Sequence, residues 1–216
     1  WELSDGADPS LRAGIATQMA GILVNHLRID EVDEWVVRAL DSGGTSVMSE
    51  PTLASALARS AAGRSDEALD LMPPVPEDGF DLHAIPRAFG GGVAAMWNED
   101  PTTARSLLSD AYEASRAFGA FFAASLAMIY LADAEQRLGL LDDAAHHAQL
   151  AASMAEDSDQ PWFFSLSHSN AASTLALRGD AENAERHVEA ARAAAFAPSY
   201  VLWTEHSAAR VALLRG

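Results

Sequence analysis

The sequence reads ADAEQRLGLLDDAAHHAQLA at residues 132–151 and, 40 residues later, ASTLALRGDAENAERHVEAA at residues 172–191. Each stretch starts with Ala, has a Gly seven residues on, an Ala five residues after the Gly, and another Ala seven residues after that. Self-similarity at a fixed period of this length is typical of helical-repeat proteins. The pattern therefore predicts pairs of helices that recur along the chain.

The same pattern extends toward the start of the sequence. Its central alanines are separated by 36, 40 and 40 residues, and they are Ala68, Ala104, Ala144 and Ala184. Twelve residues before each lies another small residue: Ala56, Gly92, Ala132 and Ala172. Seven residues after the last three come Ala111, Ala151 and Ala191, and Ala20, Val32 and Ala39 keep the pattern loosely in the first repeat.

Helix-start signals agree with this periodicity. Five prolines precede helical patterns, where the missing N–H costs nothing in the first turn: Pro9, Pro51, Pro101, Pro161 and Pro198. No segment shows sustained two-residue alternation of apolar and polar side chains, so no strands are expected. We predict helices over residues 9–27, 30–41, 50–62, 65–72, 82–97, 101–117, 120–138, 141–156, 161–178, 181–195 and 198–215.

The spacing of small residues resembles the tetratricopeptide repeat, in which small side chains let two antiparallel helices pack closely. The resemblance covers about residues 10–216 and implies an all-α fold, a right-handed α-solenoid of about five helix pairs and a terminal helix. The large aromatic residues of that repeat are mostly replaced here by Ala, Leu or Val. We expect a first block of helix pairs at 1–72, a Pro-rich elbow at 73–81, and the remaining pairs at 82–216, continuous with the first block.

The charge balance excludes several classes of function. Acidic residues outnumber basic ones 31 to 14, which gives a net charge of −17. Binding to DNA needs Lys and Arg to neutralise phosphates, so we expect no direct nucleic-acid binding by this segment, and no binding to an anionic membrane. The chain has no Cys and no apolar run of the roughly 20 residues that a membrane span requires. We expect a cytoplasmic protein.

A more specific resemblance begins at Ala111 and continues to Gly216. The Ala-rich helix at 151–157, the aromatic helix start at 159–162 and the small-residue helix that ends at Arg178-Gly179-Asp180 resemble the repeat region of large ATP-binding LuxR-type, or MalT-like, transcriptional regulators. In that family, an ATPase and a helix-turn-helix domain flank a repeat region that senses an inducer or a regulatory protein. The resemblance implies such flanking domains in a longer chain, and a partner that is a regulatory protein or a small-molecule inducer.

Motifs for catalysis, metals and nucleotides are weak. Residues 90–95 match a dinucleotide-binding pattern but lie inside a predicted helix, so close helix packing is the favoured reading, and we expect no cofactor. His146 and His147 diverge on a helix, no zinc motif accompanies them, and we expect solvated histidines, although His147 and His187 occupy equivalent repeat positions. Ser167-His168-Ser169 lacks a nucleophile elbow, so we assign no catalytic residue and predict a protein that is not an enzyme.

The first helix of each pair should line the concave face of such an array. The repeat register places apolar residues early on that face, from Leu53 to Ile129, and polar residues later, as far as His206 and Arg210. A small-molecule pocket is usually an apolar wall with a few convergent polar groups, so we place the ligand site where the two halves meet. The predicted ligand-binding residues are Met96, Trp97, Ile129, Asp133, Gln136, Ser169 and Ser173. The alternative is that this face is ordinary buried core.

Two functions remain open at this point. The first is a sensor segment of a multidomain LuxR-type transcriptional regulator that binds an inducer or a regulatory protein. The second is a free-standing tetratricopeptide adaptor that docks a peptide or a partner helix. A weaker third possibility is a solenoid that serves only as a spacer or for oligomerisation.

Overall fold

The computed structural model describes residues 6–42, 51–71, 84–158 and 160–216. Within these ranges the chain forms eleven α-helices and a short 3-10 turn at Ile29–Glu31, and it contains no strand. In chain order the helices are α1 Pro9–Asn25, α2 Val32–Asp41, α3 Pro51–Ala61, α4 Ser65–Leu71, α5 Ala84–Trp97, α6 Pro101–Ala117, α7 Phe121–Arg137, α8 Leu141–Glu156, α9 Pro161–Leu177, α10 Ala181–Ala194 and α11 Pro198–Arg215. The all-α prediction is confirmed, and each helix end lies within two residues of its predicted position.

The repeated glycines end helices. Gly139 and Gly179 follow α7 and α9 with φ of +76° and +84°, a left-handed conformation that glycine adopts without steric cost. The Gly139 N–H donates to the Gln136 carbonyl, and the Leu140 N–H donates to the Glu135 carbonyl at 2.9 Å. This pair of bonds is the Schellman motif, which satisfies the last carbonyls of a helix. The Gly of the repeat is therefore a helix stop, and the next helix starts within two residues of it.

The repeated small residues lie at helix contacts, as the repeat pattern predicts. All of them are buried, with the central alanines Ala68, Ala104, Ala144 and Ala184 fully inaccessible. The clearest close approach is at Gly92 on α5, where a Cβ atom would lie 2.6 Å from Cγ of Leu108 on α6. The glycines at 90–92 sit in the middle of α5 and are buried, which confirms the packing interpretation of that motif.

The chain divides into two compact units, Trp1–Ala114 and Ser115–Gly216. In the first unit, α3 packs against α1, α2, α4 and α5. In the second unit, α9 packs against α7, α8, α10 and α11. The odd-numbered helices therefore contact one another in sequence within each unit. The elbow predicted at 73–81 lies outside the described residues, and the three-part division of the chain stays a prediction.

None of the helices in the described part of the chain is both long enough and apolar enough to cross a membrane.

Candidate functional site

A cavity of about 280 Å³ opens within the second unit, on the side formed by α7, α9 and α11. These are successive odd-numbered helices, the set that the repeat register assigned to one face. The size is close to the lower end of the range of roughly 300–1,000 Å³ that is usual for small-molecule sites. The wall is formed by side chains from each of the three helices.

Helix α7 contributes Asp133, Gln136 and Arg137, whose spacing of three and four residues places them on one side of the helix. Burial raises the pKa of Asp133, and the nearby charges of Arg137 and Arg210 oppose that rise. The Arg137 Nη2 atom lies 3.5 Å from the Asp133 carboxylate. A half-buried carboxylate that is influenced by the charges of two guanidinium groups thus lies at this end of the cavity.

Helix α9 contributes Ser169, Asn170 and Ser173, and it is tied to α7 by hydrogen bonds. The Gln136 amide donates from Nε2 to Thr174 Oγ1 at 2.7 Å. The Thr174 hydroxyl donates in turn to the Asn170 carbonyl at 2.9 Å. Ser173 Oγ lies 3.4 Å from Gln136 Oε1 and donates to it. The side chain of Gln136 is consequently fixed between the two helices.

Helix α11 closes the cavity with polar and aromatic side chains. Arg210 donates from Nη1 to Gln136 Oε1 at 3.0 Å, and also to Ser173 Oγ. Ser207 Oγ donates to the Ser169 carbonyl at 2.7 Å, which joins α11 to α9. Trp203 lines the apolar part of the wall with Leu202, and its ring meets Tyr130 of α7 edge to face at 6.3 Å.

One buried polar atom in this wall has no protein partner. Asn170 is 2% exposed and lines the cavity, yet its Oδ1 accepts no hydrogen bond within the described residues. An unsatisfied buried acceptor costs about 1–3 kcal/mol, so such atoms are uncommon in folded proteins. The oxygen is also inaccessible to solvent, so it lies behind the surface of the wall.

The predicted site residues fall into three places. Asp133, Gln136, Ser169 and Ser173 line the cavity together. Ile129 lies one turn before Asp133 on α7 and is fully buried in the helix packing, so it does not form part of the wall. Met96 and Trp97 belong to the first unit, where Met96 is fully buried and Trp97 is 37% exposed.

Sequence reasoning did not assign several wall residues. His206 and Arg210 were placed on the correct face but left out of the site, and Arg137, Asn170, Leu202, Trp203 and Ser207 were not considered. A signal was available for most of them. Each lies three or four residues along its helix from another member of the wall, which is the spacing of neighbours on a helix surface.

The expectation of solvated histidines was wrong for one pair. His168 on α9 is 3% exposed, and its Nδ1 lies 2.9 Å from Nδ1 of His187 on α10. The ring of His168 also stacks on Phe164 at 4.1 Å. Burial lowers the pKa of His168 to about 4 and also lowers that of His187. His147 does not meet His187, and it hydrogen bonds instead to Glu135 of α7 at 2.8 Å.

No grouping of three or more metal-ligating side chains occurs among the residues that the structure describes. In the cavity wall, Ser169 Oγ bonds to Thr204 at 2.9 Å, and Ser173 Oγ bonds to Gln136 and Arg210. The arrangement is suited to holding a ligand by hydrogen bonds and charge. No protein-family model matches the chain, and a search of curated proteins found no significant match.

Proposed function

We propose that this chain is a non-enzymatic helical-repeat sensor, a right-handed α-solenoid of tetratricopeptide-like helix pairs that binds an inducer or a regulatory protein. In this proposal it is the sensing segment of a LuxR-type transcriptional regulator. The cavity between α7, α9 and α11 carries the proposal, because four residues chosen from the repeat register meet in it. DNA binding belongs to another domain, since a net charge of −17 opposes it here.

The composition of the wall supports binding rather than catalysis. The serine hydroxyls of the wall bond to amide, hydroxyl, carbonyl and guanidinium groups, and none of these is a general base that could activate a nucleophile. Trp203 and Leu202 supply an apolar surface, and Leu202 is 59% exposed at the mouth. Fixed polar groups on one side and an apolar surface on the other are the usual composition of a small-molecule site.

The position of the cavity also suits a sensor. Its wall comes from the first helices of two successive pairs, α7 and α9, and from the terminal helix α11, so an occupant contacts all three helices at once. A ligand that binds one arrangement of these helices better than another shifts the population toward that arrangement. In a larger regulator, this shift is the signal that neighbouring domains would receive.

An adaptor function remains the second candidate because aromatic side chains are exposed at the helix starts of this unit. Phe121 at the start of α7 is 68% exposed, and Phe196 just before α11 is 63% exposed. Phe196 contacts Tyr200, Tyr200 contacts Trp162, and Trp162 contacts Phe122, so these four rings form a cluster. Exposed aromatic residues in a cluster are a common feature of surfaces that dock another protein.

A pair of matched substitutions on α11 tests the proposal. His206 and Ala209 are both exposed on this helix, but only His206 lines the cavity. His206→Trp should fill the mouth of the cavity, whereas Ala209→Trp adds the same bulk elsewhere. Thermal shift assays of the wild type and both variants against small metabolites and against peptides measure binding through the ligand-induced rise in melting temperature.

A small molecule that raises the melting temperature of the wild type and of Ala209→Trp, but not of His206→Trp, supports the sensor. Peptides that stabilise all three proteins equally would favour the adaptor. A small molecule that stabilises His206→Trp as much as the wild type would contradict the assignment of the cavity as the site.

A further inference from the structure

Arg210 has an unusual environment for an arginine in so acidic a chain. The arginines Arg137, Arg178, Arg192 and Arg215 of the same unit each face a carboxylate. Arg210 forms no ion pair in the part of the chain that the structure describes, and its hydrogen-bond partners are the neutral Gln136 and Ser173. The charge of Arg210 still acts on the Asp133 carboxylate across the cavity, but that carboxylate is hydrogen bonded to Arg137 instead. Arg186 also bonds to a neutral side chain, but it is exposed, whereas Arg210 is half-buried in the wall of a cavity, where an anion from outside the chain can reach it.

The partners of Arg210 hold it in a defined orientation. Thr174 donates its hydroxyl proton to the Asn170 carbonyl, so toward Gln136 it can only accept. Arginine can only donate. Both ends of the Gln136 amide therefore require the same assignment, with Nε2 toward Thr174 and Oε1 toward Arg210. The acceptor that fixes Arg210 is thus itself fixed by two helices, which is how a rigid binding group is built.

The orientation leaves one side of the guanidinium open. Only Nη1 donates to the protein, and within the described residues Nη2 and Nε of Arg210 donate to no group. The planar guanidinium presents paired N–H donors that match the two oxygens of a carboxylate. The open side is therefore suited to a bidentate carboxylate.

The charge around the cavity favours a small anion and disfavours a large one. Two guanidinium groups, Arg137 and Arg210, line the wall with one carboxylate, Asp133, so the local balance is positive even when Asp133 is ionised. The surrounding chain carries a net charge of −17. A polyanion such as a nucleic acid is repelled by that surface over many contacts, whereas a single small carboxylate meets only the local charge.

The rest of the wall indicates what the carboxylate is attached to. Trp203 and Leu202 offer an apolar and aromatic surface, which suits a flat or unsaturated carbon skeleton. The volume of about 280 Å³ limits the ligand to a small molecule.

From these features we infer that the cavity binds a small organic monocarboxylate, with the carboxylate held by Arg210 and the carbon skeleton packed on Trp203. The inference rests on the function proposed above and names its ligand class. Phosphate or sulfate would satisfy the charge of Arg210 but would leave the apolar surface of Trp203 and Leu202 in the cavity uncovered.

Isothermal titration of the whole chain with matched probes tests this inference. Benzoate and indole-3-acetate are the carboxylate probes, benzamide is the neutral isostere of benzoate, and inorganic phosphate is the anion without a skeleton. The variants are Arg210→Gln, which removes the charge, and Arg210→Lys, which keeps the charge but removes the fork. Arg192→Gln is the matched control, since Arg192 is exposed, pairs with Glu205 and lies outside the cavity.

We expect at least one carboxylate probe to bind the wild type and Arg192→Gln equally. Its affinity should fall roughly ten- to hundredfold in Arg210→Gln, the size of one charge-assisted bidentate contact, and by a smaller factor in Arg210→Lys. Circular dichroism of each variant shows whether folding is intact, and the Arg210→Lys result keeps the test valid if Arg210→Gln unfolds.

The outcomes separate this inference from the proposed function. Equal binding of benzamide and benzoate, or an affinity that does not change in Arg210→Gln and Arg210→Lys, overturns the carboxylate assignment. So does the failure of both carboxylates to bind at millimolar concentration. If neutral molecules still stabilise the wild type but not His206→Trp, the sensor proposal stands without the carboxylate. If no small molecule distinguishes those two proteins, both fall.

Discussion

Replacing Gly92 with alanine should destabilise the first unit, although the same change stabilises most helices. Gly92 lies in the middle of α5, and a Cβ atom there would be 2.6 Å from Cγ and 3.0 Å from Cδ2 of Leu108. Carbon atoms in contact are normally about 3.5–4.0 Å apart, so α5 and α6 must move by roughly 1 Å or Leu108 must leave its rotamer. Leu108 is fully buried, so no free space is available to it.

Two opposing terms set the magnitude. Alanine is more favourable than glycine in a helix interior by about 1 kcal/mol. Overpacking a close contact costs about 1–3 kcal/mol. The net expectation for Gly92→Ala is a loss of about 1 kcal/mol in the free energy of unfolding, within a range from about zero to 2 kcal/mol.

Gly14→Ala is the matched control. Gly14 lies in the middle of α1, in the same unit, and a Cβ atom there would meet nothing within 4 Å. The helix-propensity gain is common to both substitutions, so the difference between them isolates the steric cost. We expect Gly14→Ala to be more stable than Gly92→Ala by about 1–3 kcal/mol.

Urea unfolding followed by far-UV circular dichroism measures these differences. A double-mutant cycle with Leu108→Ala adds a sharper test, because the space left by Leu108 should convert Gly92→Ala from a loss into a gain. If Gly92→Ala stabilises the wild type as much as Gly14→Ala does, the close approach of α5 and α6 at this glycine is refuted.

Substitutions at Ala172, His168 and Asp133 should change the stability of the second unit through burial and charge. Ala172→Leu should cost about 1–3 kcal/mol, because Ala172 is fully buried where α9 meets its neighbours, and a neutral result in urea unfolding would contradict that placement. The pKa of His168 is about 4 in the folded protein and 6.5 in the unfolded protein, so the unfolded state binds the extra proton as the pH falls. The full stability is therefore present above pH 6.5 and is lost as the pH falls toward 4. We expect the wild type to lose about 3 kcal/mol relative to His168→Phe over this range. At His187, the charge of Glu156 raises the pKa and the charge of Arg186 lowers it. The free energy of unfolding of the wild type and of His168→Phe is measured across this pH range, and equal slopes for the two proteins would exclude the His168 effect. Burial raises the folded pKa of Asp133, so its carboxylate costs stability once ionised; Asp133→Asn should raise the melting temperature at neutral pH, and that advantage should vanish near pH 3.

The sequence predicts the helices well because their ends are set by local chemistry. Asp8 accepts a hydrogen bond from the Ser10 N–H at 2.9 Å, and Asp100 accepts one from the Thr103 N–H at 3.0 Å, so each carboxylate caps the helix that follows. Gly139 and Gly179 end their helices by adopting positive φ. Such signals involve residues within one turn of each other, and they can be read without knowledge of the tertiary structure.

Only part of the cavity wall could be predicted from the sequence, because the burial of a residue and the continuity of a face are tertiary properties. The repeat register correctly places Asp133 and Gln136 on one side of α7, but it does not reveal that Ile129, one turn earlier, is covered by neighbouring helices. Met96 and Trp97 were grouped with them on the assumption that one face continues through every repeat. They fall in the first compact unit instead.

The histidine pair shows the same limitation. Equivalent repeat positions suggested that His147 and His187 meet, since they lie 40 residues apart. The observed contact joins His168 on α9 to His187 on α10, two helices that follow each other in the chain. Helix α9 has no exposed stripe from which the depth of His168 could be read, because every residue from 165 to 176 is buried.

The composition of α9 connects the fold to the proposed function. This helix packs against four others, yet it buries Ser165, Ser167, Ser169, Ser173 and Thr174. Alanine has a higher helix propensity than serine or threonine, and burying a hydroxyl group costs free energy unless it is hydrogen bonded. The hydroxyls of Ser165 and Ser167 have no partner within the described residues, whereas those of Ser169, Ser173 and Thr174 are bonded and lie in or behind the cavity wall.

A purely structural central helix gains nothing from this arrangement, because alanine would fill the same small-residue positions at lower cost. Two of the bonded hydroxyls, those of Ser173 and Thr174, do have a consequence, because through Gln136 they fix the direction in which Arg210 points. These hydroxyls lie on α9, the helix that contacts α7, α8, α10 and α11. Because Arg210 is hydrogen bonded to Ser173 of α9, a ligand that binds at Arg210 would also act on this central helix. If the proposed function is correct, the stability lost in α9 is the cost of holding a rigid binding site.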